Sequence, residues 1–246
     1  MKEVIAIISR KGGTGKTTTA QCLGAALQRS GNKVLLIDLD AQANLTAAMG
    51  ADPGGLNVTD LFDGTAQPSR IIRNTSNGDI ITGCAELAAG DVELKSNDQL
   101  KKVIKPLLSE YDYLIIDTPA SYGRLTMNAL TAATSAIITL EPATFSTQGV
   151  DELAGIVKQI RKANKKLNVR GILVTRCDSR SNEVKQTIEE IKEAAARINT
   201  DLIEPPIRAT AKVFEAQRHQ QNLLDYAPRS TAAQDYIEAA KVLFNQ

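Results

Sequence analysis

The sequence predicts an α/β fold of the doubly wound kind, a mostly parallel sheet flanked by helices. Three observations carry the prediction. Short β-branched runs alternate with longer amphipathic stretches along the chain. The runs Val34-Leu35-Leu36-Ile37-Asp38, Tyr113-Leu114-Ile115-Ile116-Asp117 and Ala136-Ile137-Ile138-Thr139-Leu140 are continuously apolar rather than alternating, which is how strands buried on both faces read. The first apolar run, Val4 to Ile8, passes directly into a glycine-rich loop and then a helical pattern. That places the loop at the carboxyl end of a strand, where open α/β sheets bind ligands.

Taken in order, Val4 to Ile8 is the first strand, and Lys16 to Arg29 is a helix ended by Gly31. Val34 to Asp38 is the second strand. The stretch from Asp52 to Asn77, rich in Gly, Pro, Ser and Thr, reads as a surface excursion. Further strands are expected at Asp79 to Thr82, Tyr113 to Asp117, Ala136 to Leu140, Gly171 to Thr175 and Leu202 to Ile203. Helices are expected at Asn97 to Glu110, Leu125 to Ala132, Gly149 to Lys162, Ser181 to Ile198 and Ala232 to Phe244, the last with Thr231 as its N-cap. There is no internal repeat or low-complexity tract, so one domain over residues 1–246 is expected.

Composition narrows the chemistry. An apolar fraction of 43% in 246 residues suits an ordinary globular core. No apolar run approaches the ~18 residues of a membrane span, and Met1-Lys2-Glu3 leads straight into the first strand, leaving no room for a signal peptide. Three scattered cysteines, Cys22, Cys84 and Cys177, form no C-x-x-C pair, and the single His219 makes a histidine metal site or a Ser-His-Asp triad improbable. A cytoplasmic setting is the expectation. Aromatics at 4% argue against a base-stacking single-strand binder.

The chemistry starts at Lys11-Gly12-Gly13-Thr14-Gly15-Lys16-Thr17-Thr18. Small residues let backbone N–H groups turn toward an anion, and the helix beginning near Lys16 adds its positive end. In such a P-loop, Lys16 would reach the β- and γ-phosphates and the Thr17 hydroxyl would ligate Mg²⁺. The general pattern has glycine where this chain has Arg10, and it lacks the second lysine, Lys11. With Lys16 serving the phosphate, Lys11 is either a solvated surface lysine or, if two subunits meet face to face across their nucleotides, a group that reaches the partner's phosphates as an arginine finger does. Asp117 ends an apolar strand in the Walker B manner, holding Mg²⁺ directly or through water. Asp38 and Asp40 end another buried strand. Both carboxylates would face one side if the extended geometry persisted, Asp38 near the metal and Asp40 near the attacking water.

Lys11 to Thr18 resembles the deviant Walker A motif of the ParA/MinD ATPases, a group with the P-loop NTPase fold. Asp38-Leu39-Asp40-Ala41-Gln42-Ala43-Asn44-Leu45-Thr46 is similar to the ParA element D-x-D-P-Q-G-N-x-T, with alanines at the usual proline and glycine. Asp117-Thr118-Pro119-Ala120-Ser121-Tyr122-Gly123 resembles D-x-P-P-S-x-G. Glu141-Pro142, Thr175 to Arg180, Glu215-Ala216 and Asp235-Tyr236 extend the likeness over nearly the whole chain. The resemblance is to a short ParA form without an N-terminal helix-turn-helix. It implies an ATPase using ATP and Mg²⁺, a homodimer bridged by ATP through Lys11, and hydrolysis aided by Asp40. It also implies adenine contacts from Arg176 and from Pro206 to Arg208, non-specific binding of double-stranded DNA by the ATP-bound dimer, and a ParB-type adaptor that stimulates a slow ATPase. Such a protein partitions plasmid or chromosome DNA and associates with the nucleoid.

Part of the DNA expectation is visible in the residues. From Lys158 to Arg218 basic side chains outnumber acidic ones, and lysine and arginine on phosphates give salt-sensitive, sequence-independent affinity. Lys212 and Arg218 are the first candidates, with Arg208 and Lys185 next. A MinD-like membrane switch would need a basic amphipathic tail, and Lys241 to Gln246 does not read as one. A ParA-like positioning ATPase for a protein or conjugative cargo is the other alternative. Lys16→Ala should weaken ATP binding at least about tenfold; titration with a fluorescent ATP analogue checks it, and unchanged affinity would remove Lys16 from the phosphate site.

Overall fold

A computed structural model describes residues 2–88, 94–121, 123–145, 149–178 and 180–245. The chain opens with β1 (Glu3–Ile8), α1 (Lys16–Arg29) and β2 (Val34–Asp38). Three short helices follow, α2 (Asn44–Ala48), α3 (Val58–Asp63) and α4 (Pro68–Ile71), and then the hairpin β3 (Ile72–Thr75) and β4 (Gly78–Ile81). Next come α5 (Gln99–Val103), β5 (Tyr113–Asp117), α6 (Arg124–Ala132), β6 (Ser135–Leu140), α7 (Gly149–Ala163), β7 (Asn168–Val174) and α8 (Asn182–Arg197). The chain finishes with β8 (Leu202–Ile203), α9 (Lys212–Arg218), α10 (Leu223–Tyr226) and α11 (Thr231–Phe244).

The strands form one sheet in the order β3-β4-β2-β5-β1-β6-β7-β8, parallel throughout except for the β3–β4 hairpin. Side chains alternate between two core layers. Val4, Ala6 and Ile8 enter one, and Ile5 and Ile7 enter the other against α1 and α11. Register then sets the site: Ile7 pairs with Asp117, and Asp38 pairs with the same Asp117. Three strand ends therefore finish on one line at the mouth of the loop after β1.

The segment read as a surface excursion is built structure. Asn57 caps α3 in a reciprocal box with Asp60, and β3 is an edge strand. The long helix expected from Asn97 to Glu110 is broken: α5 stops at Val103 and a 3-10 turn, Lys105–Ser109, follows with Pro106 at its start. The N-cap of α11 is Ser230, one residue ahead of Thr231, its hydroxyl accepting the Ala233 N–H at 3.3 Å. Among the described residues no helix is long and apolar enough to cross a membrane.

A bulge marks the β6–β7 pair, where Ala136 faces Val169 but Ile137 faces Gly171, leaving Arg170 unpaired in the ladder. Freed from the register, Arg170 grips both carboxylate oxygens of Glu3, at 2.8 and 2.7 Å, donates to the Leu243 carbonyl and lies over the Phe244 ring. Gly171 allows the bulge. A Cβ there would lie 2.9 Å from the Asp201 carbonyl oxygen and 2.8 Å from Ile203 Cγ1. Gly171→Ala should cost roughly 2–3 kcal/mol of stability, read as a lower midpoint in urea denaturation; an unchanged midpoint would mean the β7–β8 approach is not tight.

Candidate nucleotide site

The loop between β1 and α1 is held open by its own anchors. Gly13 and Gly15 have φ of 79° and 76°, left-handed values that favour glycine. Gly15 occupies the N-cap of α1 and brings no capping side chain, so the first-turn N–H groups keep their capacity for an anion. Thr14 is buried and turned into the protein. Its hydroxyl meets the Lys11 carbonyl at 3.3 Å and the Thr139 hydroxyl at 3.1 Å, while the Thr175 hydroxyl donates to the Thr14 carbonyl at 2.9 Å. The ends of β6 and β7 thus fix the loop's shape, and Thr14 can offer a ligand only its backbone. Gly12 and Lys11 are exposed beside it.

Lys16 is 7% exposed, at the floor of an open cleft of about 750 Å³. Beside it the Thr17 hydroxyl donates to Asp117 Oδ2 at 2.6 Å. Asp117 is fully buried, and its Oδ1 has no hydrogen-bond partner among the described residues. An orphaned carboxylate oxygen next to a hydroxyl, at the base of a phosphate loop, fits Mg²⁺, a hard cation taking one or two protein oxygens and leaving the rest to phosphate and water. Burial pushes the Asp117 carboxyl well up from the ordinary range, and the charge of Asp38 adds to the rise; the Thr17 hydrogen bond and Lys16 oppose it.

Asp38, expected at the metal, is engaged by donors of its own segment. Its Oδ2 accepts the Thr46 N–H at 2.9 Å and the Thr46 hydroxyl at 2.8 Å, and its Oδ1 accepts the Asp40 N–H at 3.0 Å. Asp38 is fully buried, and three protein donors engage its two oxygens. The extended geometry does not run on to Asp40, because the chain turns over the Asp38 carboxylate. Asp40 instead lines the cleft, half-buried, with Oδ1 accepting the Gln42 N–H at 3.0 Å. Ala43, standing where the ParA pattern has glycine, holds a left-handed φ of 48°.

The expected adenine residues converge. The Cys177 N–H donates to the Ile207 carbonyl at 2.9 Å and the Ile207 N–H to the Val174 carbonyl at 2.8 Å, laying the segment after β8 beside that after β7. Pro206 is half-buried there. Arg176, at φ 55°, arches back so that Nη1 donates to the Gly13 carbonyl at 3.2 Å and Nε stands 3.5 Å from Glu141. Arg208, expected both near the adenine and on DNA, is part-exposed, and its guanidinium holds buried Asp235 at 2.7–3.2 Å through Nε and Nη2. Lys185 on α8 and Lys212 and Arg218 at the two ends of α9 are exposed, Lys212 pairing with Glu215 at 2.7 Å. Gln217, which the sequence did not single out, lines the cleft and donates to the Thr18 hydroxyl at 3.2 Å; a glutamine on a seven-residue helix carries no signal of that placement.

A family model described as an AAA domain matches residues 2–169. The sporulation initiation inhibitor protein Soj of Bacillus subtilis is 35% identical over 98% of this chain and 98% of its own. The chromosome partitioning protein ParA of Myxococcus xanthus is 30% identical over 99% of this chain and 88% of its own. The chain belongs to the ParA family of partition ATPases. Its fold has a solved counterpart in cobyrinic acid a,c-diamide synthase from Mycobacterium smegmatis with bound ATP analog and magnesium, at a TM-score of 0.82 and 31% identity, covering 98% of this chain and 93% of that one. In the ParA family's deviant loop this chain keeps both lysines, one sunk beneath the loop and one exposed at its lip.

An acid whose pKa is higher folded than unfolded costs nothing while it is protonated in both states, and costs more as pH climbs toward the folded value. The metal-free protein should therefore gain from Asp117→Asn by a margin that grows from pH 5 to pH 8, by ~1 kcal/mol or more. Urea denaturation in a chelating buffer at both pH values measures it. A margin independent of pH would mean that Asp117 ionises without penalty.

Proposed function

We infer that this protein is an ATP-dependent dimerising switch for DNA partition, acting as one domain over residues 1–246. The observation that carries the reading is the pair of lysines on one loop: Lys16 is buried at the base of the glycine-rich loop, suited to the β- and γ-phosphates, and Lys11 is exposed at the rim. ATP and Mg²⁺ are the ligands of the cleft. Magnesium, when bound by Thr17 and Asp117, supplies positive charge to the phosphate oxygens. The backbone N–H groups of Gly13 to Thr18 and the Lys16 ammonium hold the triphosphate, and excluded water strengthens both. Asp40 lines the same cleft, its Oδ1 accepting the Gln42 N–H, and its Oδ2 is the atom that would accept a hydrogen bond from the attacking water.

Two such subunits meeting across their nucleotides place each Lys11 against the partner's phosphates, so ATP joins the dimer and hydrolysis releases it. DNA binding follows from the exposed cations Lys185, Lys212 and Arg218, whose patch doubles on dimerisation. The relatives named for chromosome partitioning support DNA as the track, and a ParB-type adaptor that accelerates a slow ATPase completes the cycle on the nucleoid, in the cytoplasm.

Fluorescence anisotropy with a random-sequence duplex at one fixed salt concentration tests the reading in apo, ADP and ATP–Mg²⁺ states. Binding confined to ATP–Mg²⁺ and weakened steeply by added salt is expected; equal or absent binding in all three would remove DNA as the track. Lys11→Ala should keep nucleotide binding and lose the ATP-dependent dimer by light scattering. Asp40→Ala should retain dimer and DNA binding while hydrolysis falls ~100-fold; normal turnover would show that Asp40 has another role.

A further inference from the structure

We propose that Thr46 and Gly83 are positioning residues for hydrolysis: through the buried carboxylate of Asp38 they fix the turn that aims Asp40 at the attacking water. The inference deepens the reading of Asp40 as the residue that orients that water, and rests on it.

The argument begins with what the Asp38 carboxylate does. Thr46 supplies two donors to one oxygen, its N–H at 2.9 Å and its hydroxyl at 2.8 Å. The other oxygen accepts the Asp40 N–H at 3.0 Å. Thr46 belongs to α2, the short helix after the turn, so the carboxylate fastens both ends of residues 40–46 to the end of β2. The Thr46 hydroxyl is itself held, since its Oγ1 accepts the Gly83 N–H at 2.9 Å. Thr46 is 1% exposed and Asp38 not at all, so these bonds lie out of reach of water and are correspondingly strong.

Gly83 closes the arrangement from the far side. It follows β4, the strand beside β2, and its backbone presses directly on the turn. A Cβ at this position would lie 2.9 Å from Asp38 Cγ, 3.0 Å from the Asp40 carbonyl oxygen and 3.2 Å from the Asp38 carbonyl oxygen. Two of those three neighbours are backbone, which cannot swing aside. A side chain here would push the carboxylate and Asp40 together, away from their present line. Gly83 thus acts by the absence of a side chain, and Thr46 by its hydroxyl. Neither lines the cleft. Both act on the reaction through the orientation of Asp40.

The test separates rate from binding in the full-length protein with ATP and Mg²⁺, with Asp40→Ala run alongside. Thr46→Val keeps shape and removes the hydroxyl; Thr46→Ser restores it; Gly83→Ala adds the obstructing carbon without deleting a hydrogen bond. The expected result is a fall in kcat of about tenfold to a hundredfold for Thr46→Val and Gly83→Ala, with KM and the affinity for a fluorescent ATP analogue within about twofold, and recovery in Thr46→Ser. Unchanged kcat in Thr46→Val or Gly83→Ala, while Asp40→Ala is inactive, would overturn the inference alone. So would equal losses in Thr46→Val and Thr46→Ser, or an affinity loss matching that in rate. Normal turnover in Asp40→Ala would overturn the reading beneath it. If Thr46→Val does not fold, Gly83→Ala and Thr46→Ser decide the matter by the same criteria.

Discussion

Two carboxylates, Asp38 and Asp117, face one another in register at the ends of adjacent buried strands, and much of the surrounding structure answers the cost of that approach. Like charges in a dry interior repel and resist ionisation. Burial, the dominant cause, and the neighbouring charge of Asp40 both raise the pKa of Asp38, against the Thr46 and Asp40 hydrogen bonds that lower it. The two groups receive opposite treatment. Asp38 is given three internal donors, whereas Asp117 is given one hydroxyl and the nearby Lys16, and keeps an oxygen without a partner among the described residues. That asymmetry separates a carboxylate engaged by its own segment from one with capacity left for a cation.

The strands were legible because their apolar runs are continuous, and that pattern has few readings other than burial on both faces. Val34–Asp38, Tyr113–Asp117 and Leu202–Ile203 fall where the sequence places them, as does the helix Lys16–Arg29. The losses have a common cause. Helices α2, α3, α4, α9 and α10 run to seven residues or fewer, two turns at most, too short for a 3.6-residue period to show. The edge strand β3 is half-exposed and short, and its polar Arg73 and Asn74 hide it among turn residues.

At the site, motif spacing located Lys16, Thr17 and Asp117, because loop, lysine, hydroxyl and strand-end acid depend on local chain geometry. The role of Asp38 was not legible. Whether a strand-end carboxylate meets a metal or a backbone depends on what the next eight residues do, and here they fold back so that Thr46 claims it. Arg208 shows the same limit from the other side. Its charge is visible in the sequence, but its partner Asp235 lies 27 residues on, in helix α11. Charge counts cannot tell a committed guanidinium from an available one.

Helix α11 is tied to the rest of the fold at three points: Tyr236 meets the Thr19 hydroxyl on the phosphate-loop helix at 3.1 Å, Asp235 holds Arg208 beside the segment expected to take the base, and the Leu243 carbonyl receives Arg170 from the β7 bulge. The order of synthesis gives these ties a meaning that the finished fold conceals. The loop after β1 is synthesised well before the helix that braces its neighbourhood. A nascent chain therefore carries the glycine-rich loop for a time without the helix whose contacts brace it.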